Sequence, residues 1–361
     1  MPTQVDATLA AKLLDSPLKY FLLDIDGVVA SGHEVIPRVP ETLKYLRFKG
    51  KTIRFLSNNS SYSRHQIIKV FEKRGIRGFT EKEVYNSGYA AALRLQQLLG
   101  KPVRDPDGGE QLLVHGNLFV IGEGGLHEEL RRVLAPGFIT YGLELHDAER
   151  VGGFDGARVC SAWGCAVLPP PLADVATSPN RRLSLADLNA VAVVVGLDWH
   201  FNTLKLAYAA MILRGPPRPE GGLGGEEEGE GAAPGALFIA TNEDPQVPAG
   251  CREVFAPGDG CMVRAVAIAS GREPDAVCGK PRIDMAAVLF AKEEIADARA
   301  SCLMVGDRLT TDVAFGNAAG CQTMLVLSGV EGMRDIERAK RERRSELLPD
   351  YVADSLACFI P

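Results

Sequence analysis

At opposite ends of the chain, two short apolar runs pass without alternation straight into a turn that carries aspartate. The first is Tyr20-Phe21-Leu22-Leu23 followed by Asp24-Ile25-Asp26-Gly27; the second is Leu303-Met304-Val305 followed by Gly306-Asp307. A strand that is apolar at every position is buried on both faces, which calls for a parallel sheet covered by helices on either side. The neighbouring segments supply both element types. Pro40 to Lys49 reads as a helix with a proline start and Gly50 as its stop, and Ile53-Arg54-Phe55-Leu56 reads as a strand that ends in Ser57-Asn58-Asn59-Ser60-Ser61. Arg64 to Arg74 is helical in period and closes at Gly75. Near the other end, Asp284 to Lys292 and Asp312 to Ala319 are helical and Thr323 to Leu327 is a strand. Strand and helix in alternation predict an α/β fold, a doubly wound parallel sheet built from the two ends of the chain.

Between those ends lie strands (Leu118 to Ile121, Val191 to Val195) and helices (His127 to Leu134, Phe201 to Leu213) of a separate α/β domain. The division predicted is a discontinuous core, 1–103 and 244–361, with an inserted domain at 104–243. At roughly 150 residues per domain, the 361 residues suit two domains. Asn242 and Asp244, where the chain should return to the core, read as hinge or turn residues. Two stretches of the insert do not read as folded. Residues 215–235 hold eight Gly, four Pro and five Glu, a composition that buries too little apolar surface to offset the entropy of ordering it. Residues 148–181 contain a Pro-Pro-Pro run and no consistent period.

Forty Lys and Arg against 46 Asp and Glu leave a net charge of −6, so no global basic field favours nucleic acid or an anionic membrane, and a small molecule is the expected partner. The basic run Arg334 to Arg344 carries Asp335, Glu337 and Glu342 within it, and reads as a solvated helix face with pairs four residues apart. The eight cysteines form no Cys-x-x-Cys pair, and the first residues lack a secretory or transit pattern. The expected location is therefore cytoplasmic, or an organelle if a targeting segment is missing from this sequence.

In open α/β sheets, ligands bind beyond the carboxyl ends of the strands. Three predicted strands end there in Asp24 and Asp26, in Ser57 and Asn58, and in Asp307. Such a group of carboxylates repels itself and needs a cation; with no His or Cys nearby in sequence, a hard ion such as Mg²⁺ suits the oxygen donors. Alone, the tetrapeptide Asp24 to Gly27 is more often a simple Asp-rich turn. Four strings in order are more specific: Asp24-Ile-Asp26-Gly27-Val28, Ser57-Asn58-Asn59-Ser60, Gly279-Lys280-Pro281 and Gly306-Asp307-Arg308-Leu309-Thr310-Thr311-Asp312.

These four strings resemble the motifs of the haloacid dehalogenase superfamily of aspartyl-phosphate phosphatases. Further strings (YNSGYAAAL, VIGEGGLHEEL, VVVGLDWHFNTLKL, LFIATNEDPQVP) narrow the resemblance to the group holding eukaryotic phosphoglycolate, 4-nitrophenyl phosphate and pyridoxal phosphate phosphatases. The resemblance covers the chain except 148–181 and 215–235. It implies a doubly wound core with an inserted α/β cap of the C2 type, and Asp24 as a nucleophile that takes the phosphoryl group. It implies Mg²⁺ held by Asp24, Asp307 and the backbone carbonyl of Asp26, and Asp26 as the acid and base at the leaving oxygen. Ser57, Asn58 and Asn59 would hold phosphoryl oxygens, Lys280 would balance charge, and Asp312 would orient Lys280 or a water. From the cap, His200 would face the substrate.

The implied activity is Mg²⁺-dependent hydrolysis of a small phosphorylated metabolite, with 2-phosphoglycolate first. Pyridoxal phosphate or a broad range of 4-nitrophenyl phosphate-like esters is the alternative. A phosphomutase would share the aspartyl-phosphate, whereas a binding protein without turnover fits poorly with intact Asp24, Asp26, Lys280 and Asp307. The resemblance also brings the expectation of a homodimer through the cap. Two departures stand out. Val28 to Gly32 lacks the aromatic residue that relatives carry after the first motif, which predicts an altered rim to the site. The segments 148–181 and 215–235 read as lineage-specific loops or translated intron sequence.

Overall fold

Every residue of the strand Tyr20–Leu23 is buried, and so is every residue of Cys302–Gly306. The two lie side by side in parallel, with Phe21 opposite Leu303 and Leu23 opposite Val305. The computed structural model describes residues 2–32, 34–104, 110–134, 138–146, 188–215, 235–248 and 254–361. The segment 148–181 lies outside the described residues, as does 215–235 apart from Gly215 and Gly235.

The chain divides into two compact units: residues 1–90, 246–257 and 278–361 form one, and 91–245 with 258–277 form the other. The first is built on seven parallel strands in the order Thr3–Gln4, Tyr351–Ala353, Gln322–Val326, Cys302–Gly306, Tyr20–Leu23, Thr52–Ser57, Val84–Asn86. From Tyr20–Leu23 the chain first builds one side of the sheet and later returns to build the other. The strands ending at Asp24 and at Asp307 therefore flank the point where strand order reverses, the place where doubly wound sheets open a crevice.

The expected strands and helices are present, with ends shifted by one to three residues. The helix Arg64–Lys73 starts on a reciprocal cap: Ser63 Oγ accepts from the Gln66 N–H and Gln66 Oε1 accepts from the Ser63 N–H. Its Phe71 packs edge-on to Phe55 at 4.8 Å, and Phe79 meets the same ring at 4.9 Å. Burial of each such ring contributes roughly 1.5–3 kcal/mol. Val28, Val29 and Ala30 are fully buried, and both valines belong to the main core. The altered rim expected from Val28 to Gly32 thus reduces to Ser31 and Gly32, which are exposed at the antiparallel hairpin Ala30–Ser31/Glu34–Val35.

The helix expected from Asp312 begins differently. Leu309–Val313 is a wide π turn that leads into Ala314–Ala318. Asp312 Oδ2 accepts the N–H groups of Asp307 and Arg308, each at 3.1 Å, and so holds the turn against the strand end. Along Met333–Arg341, Ile336 and Ala339 are buried, and the exposed face carries an Asp335–Arg338 pair at 3.0 Å, three residues apart rather than four.

The second unit has five parallel strands, Thr140–Tyr141, Asn117–Ile121, Ala190–Val195, Leu237–Ala240 and Ala276–Val277, in that order. It continues past the boundary read at 244, because the helix Asp259–Ser270 and strand Ala276–Val277 pack on this sheet. Asp259 explains why: its Oδ1 accepts from the Leu197 N–H (3.0 Å), Thr241 Oγ1 (2.8 Å) and Asn242 Nδ2 (2.8 Å), which ties the helix start to two strand ends. Asn242 and Asp244 are turn residues here, the Asp244 N–H donating to Asn242 Oδ1. Among the described residues, no helix is long and apolar enough to cross a membrane.

Within this unit His127 is fully buried, with Nδ1 2.9 Å from Thr140 Oγ1. Burial drives its imidazole down to about 3, and Arg131 and His146 add repulsion. The unfolded chain, titrating near 6.5, therefore binds the extra proton between those values, and stability falls as pH drops below 6.5. At pH 5.5 this residue should remove about 1.4 kcal/mol relative to high pH. Urea midpoints at pH 7.5 and 5.5 should separate less in His127→Gln than in the wild type; equal separations would sink the assignment.

Candidate active site

The ordered motifs converge at the carboxyl ends of the central strands of the first unit. Asp24 follows Tyr20–Leu23, its N–H still in the ladder on Val305 O at 2.9 Å. Ser57 closes Thr52–Ser57, and Asp307 follows Cys302–Gly306. Lys280 enters from a remote segment and is held there by Asn58, whose Oδ1 accepts the Lys280 N–H (2.8 Å) and whose Nδ2 donates to the Lys280 carbonyl (2.9 Å).

All three N–H donors of the Lys280 ammonium have acceptors: Asp24 Oδ1 at 2.6 Å, Asp312 Oδ1 at 2.7 Å and Leu56 O at 3.1 Å. The lysine, Asp24, Asp307 and Asp312 are all buried. Burial opposes the charged lysine, but Asp24 and Asp312 outweigh it and raise its pKa above the ordinary lysine value. Asp24 lies well above the usual carboxylate range because it is desolvated, a push that Lys280 opposes and Asp312 and Asp307 reinforce. Asp307 rises to about 7 through burial and the neighbouring Asp312 charge. Asp26 is different. The residue is exposed at the strand end, yet desolvation by the protein atoms packed around its carboxyl raises it, while Lys280, Arg74 and Arg308 pull it back.

One carboxylate oxygen each from Asp24, Asp307 and Asp312 lie within 4.8 Å of one another. Three buried carboxylates with a single buried ammonium among them leave negative charge uncompensated, and an oxygen-only donor set of this kind fits a hard divalent cation such as Mg²⁺. The Asp26 carboxylate is not in that cluster. Asp312, placed behind the ligands on sequence grounds, both fixes Lys280 and lies within the acidic cluster.

The strand-end polar residues are largely committed to the turn. The Asn59 N–H donates to Ser57 Oγ at 3.1 Å, which leaves the Ser57 hydroxyl proton free to donate, and Asn59 Oδ1 accepts from the Ser61 N–H at 2.9 Å. His200 belongs to the second unit. There its ring stacks on His146 at 4.4 Å, and its N–H donates to Asp198 Oδ1 at 2.8 Å. Asp198 also accepts from Lys205 Nζ at 2.5 Å, with both side chains fully buried. Sequence reasoning missed Lys205 and His146, since a lysine within a helix pattern and a histidine beside an unreadable segment carry no signal of their partners.

Glycines shape the pocket around Asp307. Gly27 has φ +88°, and a Cβ there would lie 2.2 Å from Asp307 Oδ2; a Cβ on Gly329 would lie 2.0 Å from Asp307 Cβ. Asp307 Oδ2 also accepts the Val330 N–H at 2.7 Å.

The sequence matches the family profile described as haloacid dehalogenase-like hydrolase over residues 21–134, and a second, described as HAD-hydrolase-like, over residues 277–358. Phosphoglycolate phosphatase 2 of Arabidopsis thaliana is 32% identical over 360 residues, covering 100% of this chain and 98% of that protein. Glycerol-3-phosphate phosphatase of Rattus norvegicus is 30% identical over 358 residues, 97% of this chain and 92% of its own. Among solved structures, the p-nitrophenyl phosphatase of Archaeoglobus fulgidus superposes with a TM-score of 0.64 at 27% identity, covering 94% of this chain and 97% of that one.

Alanine at two left-handed glycines should separate backbone strain from crowding of Asp307. Gly50 has φ +77°, and a Cβ added there would meet nothing within 4 Å, so Gly50→Ala should lose only about 1–2 kcal/mol. Gly27→Ala should lose more in urea denaturation; equal losses would mean that Asp307 is not confined by Gly27.

Proposed function

The chain belongs to the haloacid dehalogenase-like hydrolases and is a phosphatase, and from that premise we propose a magnesium-dependent phosphomonoesterase that works through an aspartyl-phosphate on Asp24 and takes 2-phosphoglycolate. The observation that carries the reading is the buried Lys280 ammonium bridging Asp24 and Asp312 at the strand ends, beside Asp307.

A carboxylate attacks a phosphate dianion only where the charge of both is offset. Lys280 supplies part of that offset from a fixed position, since Asp312, Leu56 O and the Asn58 amide leave it little freedom. Magnesium, held by Asp24, Asp307 and the Asp26 carbonyl, would supply the rest as a Lewis acid when bound. Asp24 attacks phosphorus in line as the ester oxygen departs. Asp26 donates a proton to that oxygen, then takes one from the water that cleaves the acyl phosphate. Its raised carboxyl, open to solvent beside a buried nucleophile, suits a group that must hold a proton until the bond breaks. The Ser57 hydroxyl and backbone N–H groups of the same turn receive phosphoryl oxygens, while the Asn58 side chain serves by fixing Lys280. In the inserted unit, proposed as the cap, His200 is the residue assigned to substrate selection, and the Asp198–Lys205 pair holds the loop that carries it. That unit also forms the contact of a homodimer.

The full-length match to a phosphoglycolate phosphatase supports the choice of substrate. Two measurements test the reading. Asp24→Asn should lower phosphate release from 4-nitrophenyl phosphate with Mg²⁺ by at least about 10³-fold, and undiminished turnover would overturn the covalent mechanism. Across 2-phosphoglycolate, pyridoxal phosphate, glycerol 3-phosphate and 4-nitrophenyl phosphate, kcat/KM should be highest for the first; a higher value for any other removes the substrate assignment.

A further inference from the structure

The loop that follows the strand Gln322–Val326 has no part in the chemistry described so far, yet it is bonded to both reactive turns of the first unit. Ser328 Oγ donates to the Gly27 carbonyl at 2.7 Å, in the turn after Asp26. The Val330 N–H donates to Asp307 Oδ2 at 2.7 Å. Glu331, half-buried, makes two bonds to the turn that begins at Asp307. Its N–H donates to the Asp307 carbonyl at 3.1 Å, and its Oε2 accepts the Leu309 N–H.

Three successive N–H groups open that turn, and two carboxylates accept them: Asp312 Oδ2 those of Asp307 and Arg308, Glu331 Oε2 that of Leu309. The two acids differ in origin. Asp312 belongs to the turn itself, whereas Glu331 comes from the next strand end and so closes a ring. Asp307, Arg308 and Leu309 form one side of it, Glu331 and Val330 the other, and the Val330 N–H returns to Asp307 Oδ2. Oδ2 is thus committed to the ring, while Asp307 Oδ1 accepts no hydrogen bond among the described residues.

An acceptor that only capped the turn could come from a serine, threonine or aspartate of the turn's own chain. Glu331 instead ties the turn to the residue beside it, whose N–H orients the Asp307 oxygen. Hydrogen bonds of this kind fix the rotation of a ligating carboxylate and tune its hold on a metal.

We propose that Glu331 is a positioning residue for the cation: by holding the Leu309 N–H it keeps the Val330 donor against Asp307 Oδ2 and leaves Oδ1 as the ligating oxygen. This rests on the reading of Asp307 as a magnesium ligand. It makes the reach of the side chain at 331, rather than its charge, the property that sets affinity.

The test titrates Mg²⁺ into the full chain by calorimetry, without substrate, and reads Kd. Glu331→Ala should raise Kd about 10- to 100-fold. Glu331→Asp, which keeps the charge on a side chain one carbon shorter, should do the same, whereas Glu331→Gln, which keeps an acceptor at the same reach, should recover most of the loss. Asp335→Ala is the reference for a merely structural effect, because Asp335 Oδ2 accepts the neighbouring Gly332 N–H at 2.9 Å and hydrogen-bonds nothing in the ring; it should lower the urea midpoint and leave Kd unchanged. Where Glu331→Ala does not fold, the contrast between Glu331→Asp and Glu331→Gln decides. Wild-type Kd in Glu331→Asp, a Glu331→Gln as weak as Glu331→Ala or Glu331→Asp, or an equal rise in Asp335→Ala each overturns the proposal. Binding by the wild type that Asp307→Asn abolishes and the Glu331 variants leave intact removes the proposal alone. A wild type that binds no Mg²⁺, or an Asp307→Asn with unchanged Kd, removes the reading of Asp307 and the proposal with it.

Discussion

Lys280 is the group on which the site depends. Its ammonium lies out of water between Asp24 and Asp312. A buried ion pair of this kind is retained only when each charge has hydrogen-bond partners, because taking ions out of water costs several kcal/mol each. Here the lysine uses every donor, and Asp312 uses its second oxygen to hold the N–H groups at the end of the neighbouring strand. The interaction thus joins three distant stretches of chain at the reversal point of the sheet. It also sets the character of the site. Burial, reinforced by the neighbouring Asp312 carboxylate, raises both Asp24 and Asp307 above the usual carboxylate range, and the oxygen-only cluster they form with Asp312 is of the kind that suits a hard divalent cation.

The second unit repeats this solution in smaller form. The fully buried Asp198–Lys205 pair and the triple acceptor Asp259 lock the loops after its strands. Parallel strands leave backbone and side-chain polar groups at their carboxyl ends, and in both sheets buried carboxylates gather them. In the first sheet the arrangement remains charged and open at Asp26; in the second it is closed on itself, with His146 and His200 stacked beside it.

Much of this was legible in the sequence. Unbroken apolar runs such as Tyr20 to Leu23 can be buried on both faces only in a covered parallel sheet, and the turns that follow them mark where polar chemistry must collect. Asp24, Asp26, Lys280 and Asp307 could be singled out because four strings stand in a specific order. Less legible were features that depend on partners far along the chain. Asn58 read as a phosphate-binding amide, whereas its side chain is paired with the Lys280 peptide. Lys205 read as one more residue of a helix, and Asp259 hid the point at which the inserted unit ends. The π turn at Leu309–Val313 arises from Asp312 reaching back to two N–H groups, which no local propensity encodes.

The sequence by itself determined the α/β alternation, the division into a core and an insert, and the residue types available for chemistry, since these follow from local patterns of apolar and turn-forming residues. Tertiary structure alone decided which charges meet. Lys280 becomes a buried bridge between Asp24 and Asp312 and Asp26 stays exposed at the strand end, because burial and distance between remote segments set electrostatic energies, and neither quantity is written in any short stretch of chain.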